Sequence, residues 1–180
     1  MVNENDTIVT PAVLAMIGKQ GKPEQACEEM SKGDHRRYVL SIMSDLPLWH
    51  DQAAAKKTIY GANQSPAPQT LRAVNFLYRR ALNTPDPIRN GEEDPRGDLS
   101  DENELRIPFP KGVASFHGGD EVEYFRMPSI GDRITVTRKV VNIVAKTGRS
   151  GKIAVAYVDV IHTNQKGEVL CITRASTIRR

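Results

Sequence analysis

The sequence predicts one α+β domain in which residues 112–178 form a long antiparallel sheet. From Gly112 onward, Val, Ile, Thr and Tyr dominate in short runs that glycine-containing turns separate, which is typical of strands. Before that point, residues 71–81 repeat apolar side chains with a helical period. The 180 residues, 39% of them hydrophobic and 26% charged, suit a single buried core. We therefore expect one domain spanning residues 1–180.

Short helices precede the sheet. Thr10 and Pro11 predict the start of a helix that ends before Gly18, because Thr is a good N-cap and Pro suits the first helical position. A second helix is predicted from Gly33 to before Pro47. Its apolar stripe comprises Tyr38, Val39, Ile42 and Met43. Asp51 is expected to cap a third helix over 52–57, while residues 23–30 fit either a strand or a poor helix.

The helix predicted over 71–81 has one amphipathic face, and we interpret it as the helix around which the sheet wraps. The next segment, 85–110, is predicted to be an acidic surface insertion. It holds eight acidic and three basic side chains, a net charge of −5 within a chain of +3. The remaining residues therefore carry +8, which would suit a polyphosphate ligand or nucleic acid but fits a solvated charged surface better.

Five strands are predicted, over 112–117, 120–127, 133–145, 153–164 and 168–178. Residues 128–131 provide one connection, and 148–151 and 164–167 provide two hairpins, each with glycine available for a left-handed turn. Strand 153–161 is apolar on both faces, whereas a sheet with one wet face alternates more cleanly. We expect one face to cover the helix and the other face, or an edge, to meet a second domain or subunit.

Composition also bears on location and partners. No apolar run approaches the roughly 20 residues that span a bilayer, and the acidic N-terminus lacks the features of a secretory signal. Two cysteines, Cys27 and Cys171, build neither a disulfide framework nor a zinc cluster. We expect a cytoplasmic protein with no membrane partner and no metal. No recognised aromatic-basic motif indicates nucleic-acid binding.

Seven blocks of the sequence follow one another in an order and spacing typical of a known family, at 43–51, 58–61, 65–68, 117–126, 130–136, 146–152 and 157–177. Together they resemble the N-terminal half of MaoC-like dehydratases. Such halves read Asp-Pro-Asn-Pro-Leu-Trp-x-Asp and then a Gly-rich Ala-Pro-Pro turn. Apart from the acidic insertion, the resemblance covers nearly the whole chain. It implies a hot-dog fold, in which an antiparallel sheet wraps around a central helix.

The resemblance also implies chemistry on acyl-CoA thioesters. The catalytic halves of this family resemble (R)-specific enoyl-CoA hydratases and carry Gly-Asp-x-Asn-Pro-x-His-x-Asp. Hydration of a conjugated double bond requires a proton to leave water and another to reach the α-carbon, and a carboxylate–imidazole pair holding one water can do both. Backbone N–H groups near the thioester oxygen would stabilise the developing enolate. No cofactor is expected beyond the CoA of the substrate.

Two registers compete for this pair. Aligned on Pro47 and Leu48, the catalytic positions hold Ser44 and Trp49, so the dyad is absent. Aligned on the family's spacing, Asp45 and His50 would form it, but His50 is then adjacent to Asp51 instead of two residues before it. We favour the first register and expect no catalytic residue in this chain, with Asp45 and His50 as the alternative.

The sequence thus favours a subunit that shapes the acyl-CoA tunnel of a hydratase or 3-hydroxyacyl-CoA dehydratase, while a separate MaoC-like chain supplies the dyad. The alternatives are a self-sufficient homodimer that uses Asp45 and His50, and a non-enzymatic acyl-CoA-binding module. His35 and His162 are interpreted as surface residues, and His117 as a turn residue satisfied by backbone. The candidate substrate-binding residues are Trp49, Ser65, His117, Gly118, Arg149 and Lys152.

Overall fold

A computed structural model describes residues 8–26, 28–61, 64–72, 105–148 and 151–180. Within these residues, five short helices precede the long strands. They are α1 (Pro11–Leu14), α2 (Lys32–Ser41), α3 (Pro47–His50), α4 (Gln52–Lys56) and α5 (Gln69–Arg72). The strands are β1 (Glu24–Gln25), β2 (Ser115–Tyr124), β3 (Thr135–Gly148), β4 (Gly151–Thr163) and β5 (Val169–Arg179). The predicted α+β class with an antiparallel sheet is confirmed.

The five strands form one antiparallel sheet in the order β1-β3-β4-β5-β2. The two predicted hairpins join β3 to β4 and β4 to β5. In the first, Gly148 pairs with Gly151, and in the second, the Gly167 N–H donates to the carbonyl of Asn164 over 2.9 Å. Gly151 and Gly167 both have positive φ, as these tight turns require. Among the described strands, β2 therefore lies at one edge of the sheet.

The opposite edge is covered by the chain itself. Residues 18–26 run alongside β3, where β1 supplies two paired residues. The backbone N–H groups of Gly18, Gly21 and Ala26 donate to the carbonyls of Val140, Arg138 and Ile134 over 2.8, 2.9 and 2.8 Å. Of the two readings left open for 23–30, the strand is correct at Glu24–Gln25 only. The edge of β3 is thus closed along 134–140.

Two apolar clusters form the core on one face of the sheet. In the first, Val9 and Val13 pack against side chains of β3 and β4, namely Val140, Ile143, Ala154 and Ala156. The second cluster joins Met30 to Ile134, Val136 and Leu170. Leu105, Ile107 and Phe109 pack on the first cluster. The prediction that 85–110 is entirely a surface insertion is therefore wrong at its end, and 85–104 lie outside the described residues.

The helices differ from the predictions in length and in their apolar faces. Thr10 caps α1 as predicted, but the α-helix ends at Leu14 and a turn leads to Gly18. Ser31 and Asp34 form a capping box that starts α2. The stripe predicted for this helix is wrong in part, because Val39 is buried while Met43 is 89% exposed. Asp51 caps α4 as predicted.

The predicted central helix enters the described residues only in its first turn. That turn is α5, and residues 73–81 of the prediction lie outside the described part of the chain. Gln69 and Thr70 in this turn are buried, and their side-chain oxygens Oε1 and Oγ1 have no hydrogen-bond partner in the described part of the chain.

Strand β2 corrects the prediction of two separate strands. Residues 115–124 form one strand that pairs with β5 throughout, with a shift of register between His117 and Gly119. The Gly118-Gly119 pair is therefore a β-bulge and not a turn between strands. This bulge brings Gly118 against Ser176, whose hydroxyl donates to the carbonyl of Gly119 over 2.9 Å.

Gly118→Ala is expected to destabilise the fold by about 1–3 kcal/mol because this approach leaves no room for a methyl group. A Cβ at Gly118 would lie 2.6 Å from Ser176 Oγ and 3.0 Å from its carbonyl oxygen. Gly33→Ala is the matched control. A Cβ at Gly33 would lie an ordinary 3.5 Å from its nearest neighbour, Ser31 Oγ, and Ala favours the helix. Urea denaturation of both variants measures the difference. Equal stability of the two would contradict the proposed packing of the bulge.

Candidate functional site

A buried histidine joins three segments near the N-terminus of the predicted central helix. His35 in α2 is only 9% exposed, and its Nδ1 lies 2.7 Å from the hydroxyl of Ser65. Its Nε2 lies 2.8 Å from the backbone carbonyl oxygen of Trp49 in α3. The rings of His35 and Trp49 also meet edge to face, with centroids 6.4 Å apart. The prediction that His35 lies on the surface is wrong.

The backbone partner of His35 fixes the direction of the hydrogen bond at Nε2. A carbonyl oxygen only accepts, so Nε2 carries a proton and donates to Trp49. With one proton on the ring, Nδ1 is the acceptor, and the Ser65 hydroxyl donates to it. Ser65 is fully buried, and its backbone N–H donates to the carbonyl of Pro128 over 2.7 Å. His35 therefore holds α3 and the turn at Ser65 against α2.

This network forms one wall of a cavity of about 270 Å³. The cavity lies among α2, α3 and α4, and Trp49 and His50 line it together with His35. Two basic residues of α2, Lys32 and Arg36, stand at the same cavity one helical turn apart. An aromatic wall beside two cations suits an anionic ligand with a flat apolar part.

A second and larger cleft, of about 540 Å³, adjoins the first. It lies between the end of β2, the hairpin after β4, and Tyr60. Gln64 lines both spaces, and its side-chain amide donates to Ser129 Oγ over 2.9 Å. This hydrogen bond accompanies a short antiparallel bridge between Gln64 and Ser129. Gln64 is therefore the shared wall of the two spaces.

The structure keeps Asp45 and His50 apart. The His50 Nε2 donates to the backbone carbonyl of Ser44 over 2.7 Å, which turns the ring toward its own chain. Asp45 is exposed and does not line either of the two described cavities. Among the described residues, no hydrogen bond joins the Asp45 carboxylate to the His50 ring.

The remaining candidate residues do not converge on one point. Trp49 lines the smaller cavity, whereas Ser65 lies behind it, bound to His35. His117 and Gly118 lie on the edge strand, where the His117 ring is 3.8 Å from the Asp120 carboxylate. His117 is thus a strand residue, contrary to the predicted turn. Lys152 is exposed at the start of β4, and Arg149 lies outside the described residues. Their roles in binding substrate stay predictions.

Two buried titratable groups in the sheet lie outside both cavities. Burial lowers the pKa of His162 to about 4, with help from the nearby Arg138 charge, although a hydrogen bond with the Val160 backbone acts in the opposite direction. His162 is 5% exposed, so its predicted surface position is wrong. Burial also raises the pKa of the Cys171 thiol to about 11, which makes it a poor nucleophile.

Sequence reasoning missed His35 although a signal was present. His35 stands four residues before Val39, which was already assigned to the apolar face, and this spacing places both on one side of a helix. A search of the described residues finds no group of three or more potential metal ligands. The same residues include no helix long and apolar enough to cross a membrane.

A family model describing a FAS1-like dehydratase domain region matches residues 15–173 of the chain. No curated protein matches the sequence significantly. The match to the family model spans β1 to β4, the first part of β5 and both cavities.

Solved structures give the same fold. The chain is similar to the ChsH1-ChsH2 complex from Mycobacterium tuberculosis, with a TM-score of 0.62, 16% identity, and coverage of 92% of this chain and 85% of that one. The chain is also similar to the MaoC-like dehydratase from Rhodospirillum rubrum, with a TM-score of 0.54 and 15% identity over 91% of this chain and 93% of that one. A third similar structure is the HadBC (3R-hydroxyacyl-ACP dehydratase) complex from M. tuberculosis, with a TM-score of 0.57 and 11% identity over 91% of this chain and 96% of that one. The predicted hot-dog fold is thereby confirmed.

Proposed function

We propose, because the chain belongs to the FAS1-like dehydratase domain region family, that it is the non-catalytic subunit of a heteromeric enoyl-CoA hydratase or 3-hydroxyacyl-CoA dehydratase. In this role it shapes the tunnel that receives the acyl-CoA thioester. A separate MaoC-like hot-dog chain supplies the aspartate and histidine that move protons. Two of the similar solved structures are complexes, ChsH1-ChsH2 and HadBC, which supports an assembly of this kind.

One observation carries the proposal. In the favoured register, Ser44 and Trp49 occupy the positions of the catalytic pair, and the nearby imidazole, that of His50, is bound to the Ser44 carbonyl. A general base must reach the water that it deprotonates, and it needs a free ring nitrogen beside a partner acid. The exposed Asp45 does not provide that partner. These contacts support the proposal that this segment lines the tunnel and does not supply the catalytic pair.

The described cavities are consistent with a binding role. The smaller one combines the Trp49 wall with Lys32 and Arg36, and the larger one reaches the end of the edge strand at Tyr124 and Phe125. An acyl-CoA presents an adenine, phosphates and an apolar chain, so it needs aromatic, cationic and apolar surfaces along one path. The partner would complete this path across the open edge of β2.

Reconstitution tests the proposal. The chain purified alone should not hydrate enoyl-CoA above background, while the complex purified from the native host should be active. We expect the difference to reach about 10³-fold or more, since positioned general acid and base catalysis together contribute factors of this size. Loss of the enoyl thioester absorbance measures the rate. Full activity of the isolated chain would overturn the assignment.

A self-sufficient hydratase is the second candidate, and one observation favours it: His50 lines the smaller cavity. The variant His50→Ala separates the two functions. If His50 is catalytic, the variant loses turnover, whereas in a non-catalytic subunit it changes assembly or stability while kcat of the complex stays the same. Tight acyl-CoA binding without turnover, in the complex as well as alone, would identify a non-enzymatic binding module instead.

A further inference from the structure

A row of four side chains with alternating charge crosses the sheet from β3 to the open edge. Lys139 pairs in register with Asp159, Asp159 with Arg174, and Arg174 with Glu121. Residues that pair directly in a sheet project from the same face. This face, which we call the outer face, is opposite to the one where Ala154, Ala156 and Val140 form the core. Each charge in the row therefore has an opposite charge on the adjacent strand.

The centre of the row is well ordered by hydrogen bonds. Arg174 binds Asp159 through two contacts, Nε to Oδ1 at 2.8 Å and the second nitrogen to Oδ2 at 2.9 Å. This two-pronged geometry is the preferred arrangement of guanidinium and carboxylate. The Asp159 carboxylate, with smaller contributions from Glu121 and Glu123, raises the pKa of the Arg174 guanidinium. The two glutamates of the edge strand thus act on the same cation.

The row ends at Glu121, which is paired with Arg174 of β5 on one side and with no strand of the described chain on the other. Glu121 is exposed on β2, and beyond it no strand of the described chain continues the sheet. Glu123 projects from the same face two residues later, next to Glu121. The outer face of the edge strand therefore carries two acidic side chains, Glu121 and Glu123. The cation paired with them, Arg174, lies on the adjacent strand β5.

We propose that the subunit that joins this edge places a lysine or arginine of its own edge strand opposite Glu121, so that the alternating row continues from one chain into the next. This inference rests on the proposed function only for the existence of a second hot-dog chain. Directly opposed unlike charges stabilise strand pairing, whereas like charges oppose it. The charge of the edge therefore selects the partner.

A second copy of this chain does not meet the requirement. Strand β2 contains no lysine or arginine, and its ionisable side chains are His117, Asp120, Glu121, Glu123 and Tyr124. Pairing β2 with itself thus cannot place a permanent cation opposite Glu121 in any register. The occupant is a different chain with a basic edge strand.

The test first isolates the complex of the intact chain from its native host and so identifies the partner. It then compares how the original chain and the charge-reversal variant Glu121→Lys/Glu123→Lys bind that partner. We expect the dissociation constant of this variant to rise about tenfold or more at low ionic strength, and the difference to shrink in concentrated salt. The control Glu28→Lys/Glu29→Lys changes the net charge equally but lies next to β1, at the opposite edge. It should bind the partner like the original chain. Changing the partner's opposing base to Glu should restore binding to the β2 variant.

The outcomes separate this inference from the proposed function. Equal binding of the β2 variant and the control would overturn it, and would leave the acids as protection against aggregation, a common role of charged edge residues. A chain that is recovered alone, either as a monomer or as a dimer of itself, would overturn it as well. A partner that has the basic strand but lacks the catalytic motif would support the edge assignment while refuting the proposed function.

Discussion

His35→Ala lowers the free energy of unfolding by roughly 2–4 kcal/mol, because the change leaves two buried polar groups without partners and opens a cavity. The Ser65 hydroxyl loses its acceptor, and the Trp49 carbonyl loses its donor. Chemical denaturation measures the loss. Trp49 is the only tryptophan in the chain, so its fluorescence reports the same region directly. We expect its emission to shift as α3 loses its anchor.

Two further variants define the cause. His50→Ala removes a histidine of equal size that is exposed and holds one backbone contact, so it should cost much less. His35→Gln retains one donor and one acceptor on its side-chain amide but replaces the ring, so its stability should lie between those of the original chain and His35→Ala. If His35→Ala were as stable as His50→Ala, the anchoring role of His35 would be refuted.

Acid should destabilise the protein through His162. Its pKa is lowered to about 4 in the folded chain, against about 6.5 for a free histidine, so the unfolded chain binds the proton first as the pH falls. The contribution of neutral His162 to the free energy of unfolding is fully present above pH 6.5. It is lost between about pH 6.5 and 4, by roughly 3 kcal/mol in total. Urea midpoints measured across this range should decline accordingly.

The variant His162→Gln isolates this effect, since glutamine does not titrate. Its stability should depend less on pH between 6.5 and 4 than that of the original chain. His117→Gln is the matched control, because it removes an exposed histidine of the same sheet and tests whether the loss of any imidazole has the same effect. If the stability of His162→Gln and that of the original chain changed equally with pH, protonation of His162 would not destabilise the fold.

The sheet was predictable because its signals are local. Runs of β-branched residues set β3, β4 and β5, and the glycines at 148, 151 and 167 fixed the two hairpins within a few residues. The caps at Thr10 and Asp51 were equally readable, since an N-cap depends on its own side chain. Both predictions require only residues that are neighbours in sequence.

The errors arose where distant packing decides. Gly118-Gly119 resembles a turn, but pairing with β5 on both sides makes it a bulge. Leu105, Ile107 and Phe109 follow an acidic run, and only their packing against the first core cluster shows that they belong to the core. His35 and His162 are polar residues whose burial depends on partners up to 30 residues away, as with Ser65 for His35. Sequence spacing alone does not supply such partners.

The two edges of the sheet set a limit on how far these chains can associate. Residues 18–26 occupy the edge of β3 along 134–140, and among the described strands β2 is the one that offers an unpaired edge of ten residues. Open edges on both sides would allow head-to-tail addition without end, as in fibrils. Because one edge is partly occupied from within, strand pairing between chains is directed to β2, which disfavours repeated addition of this kind.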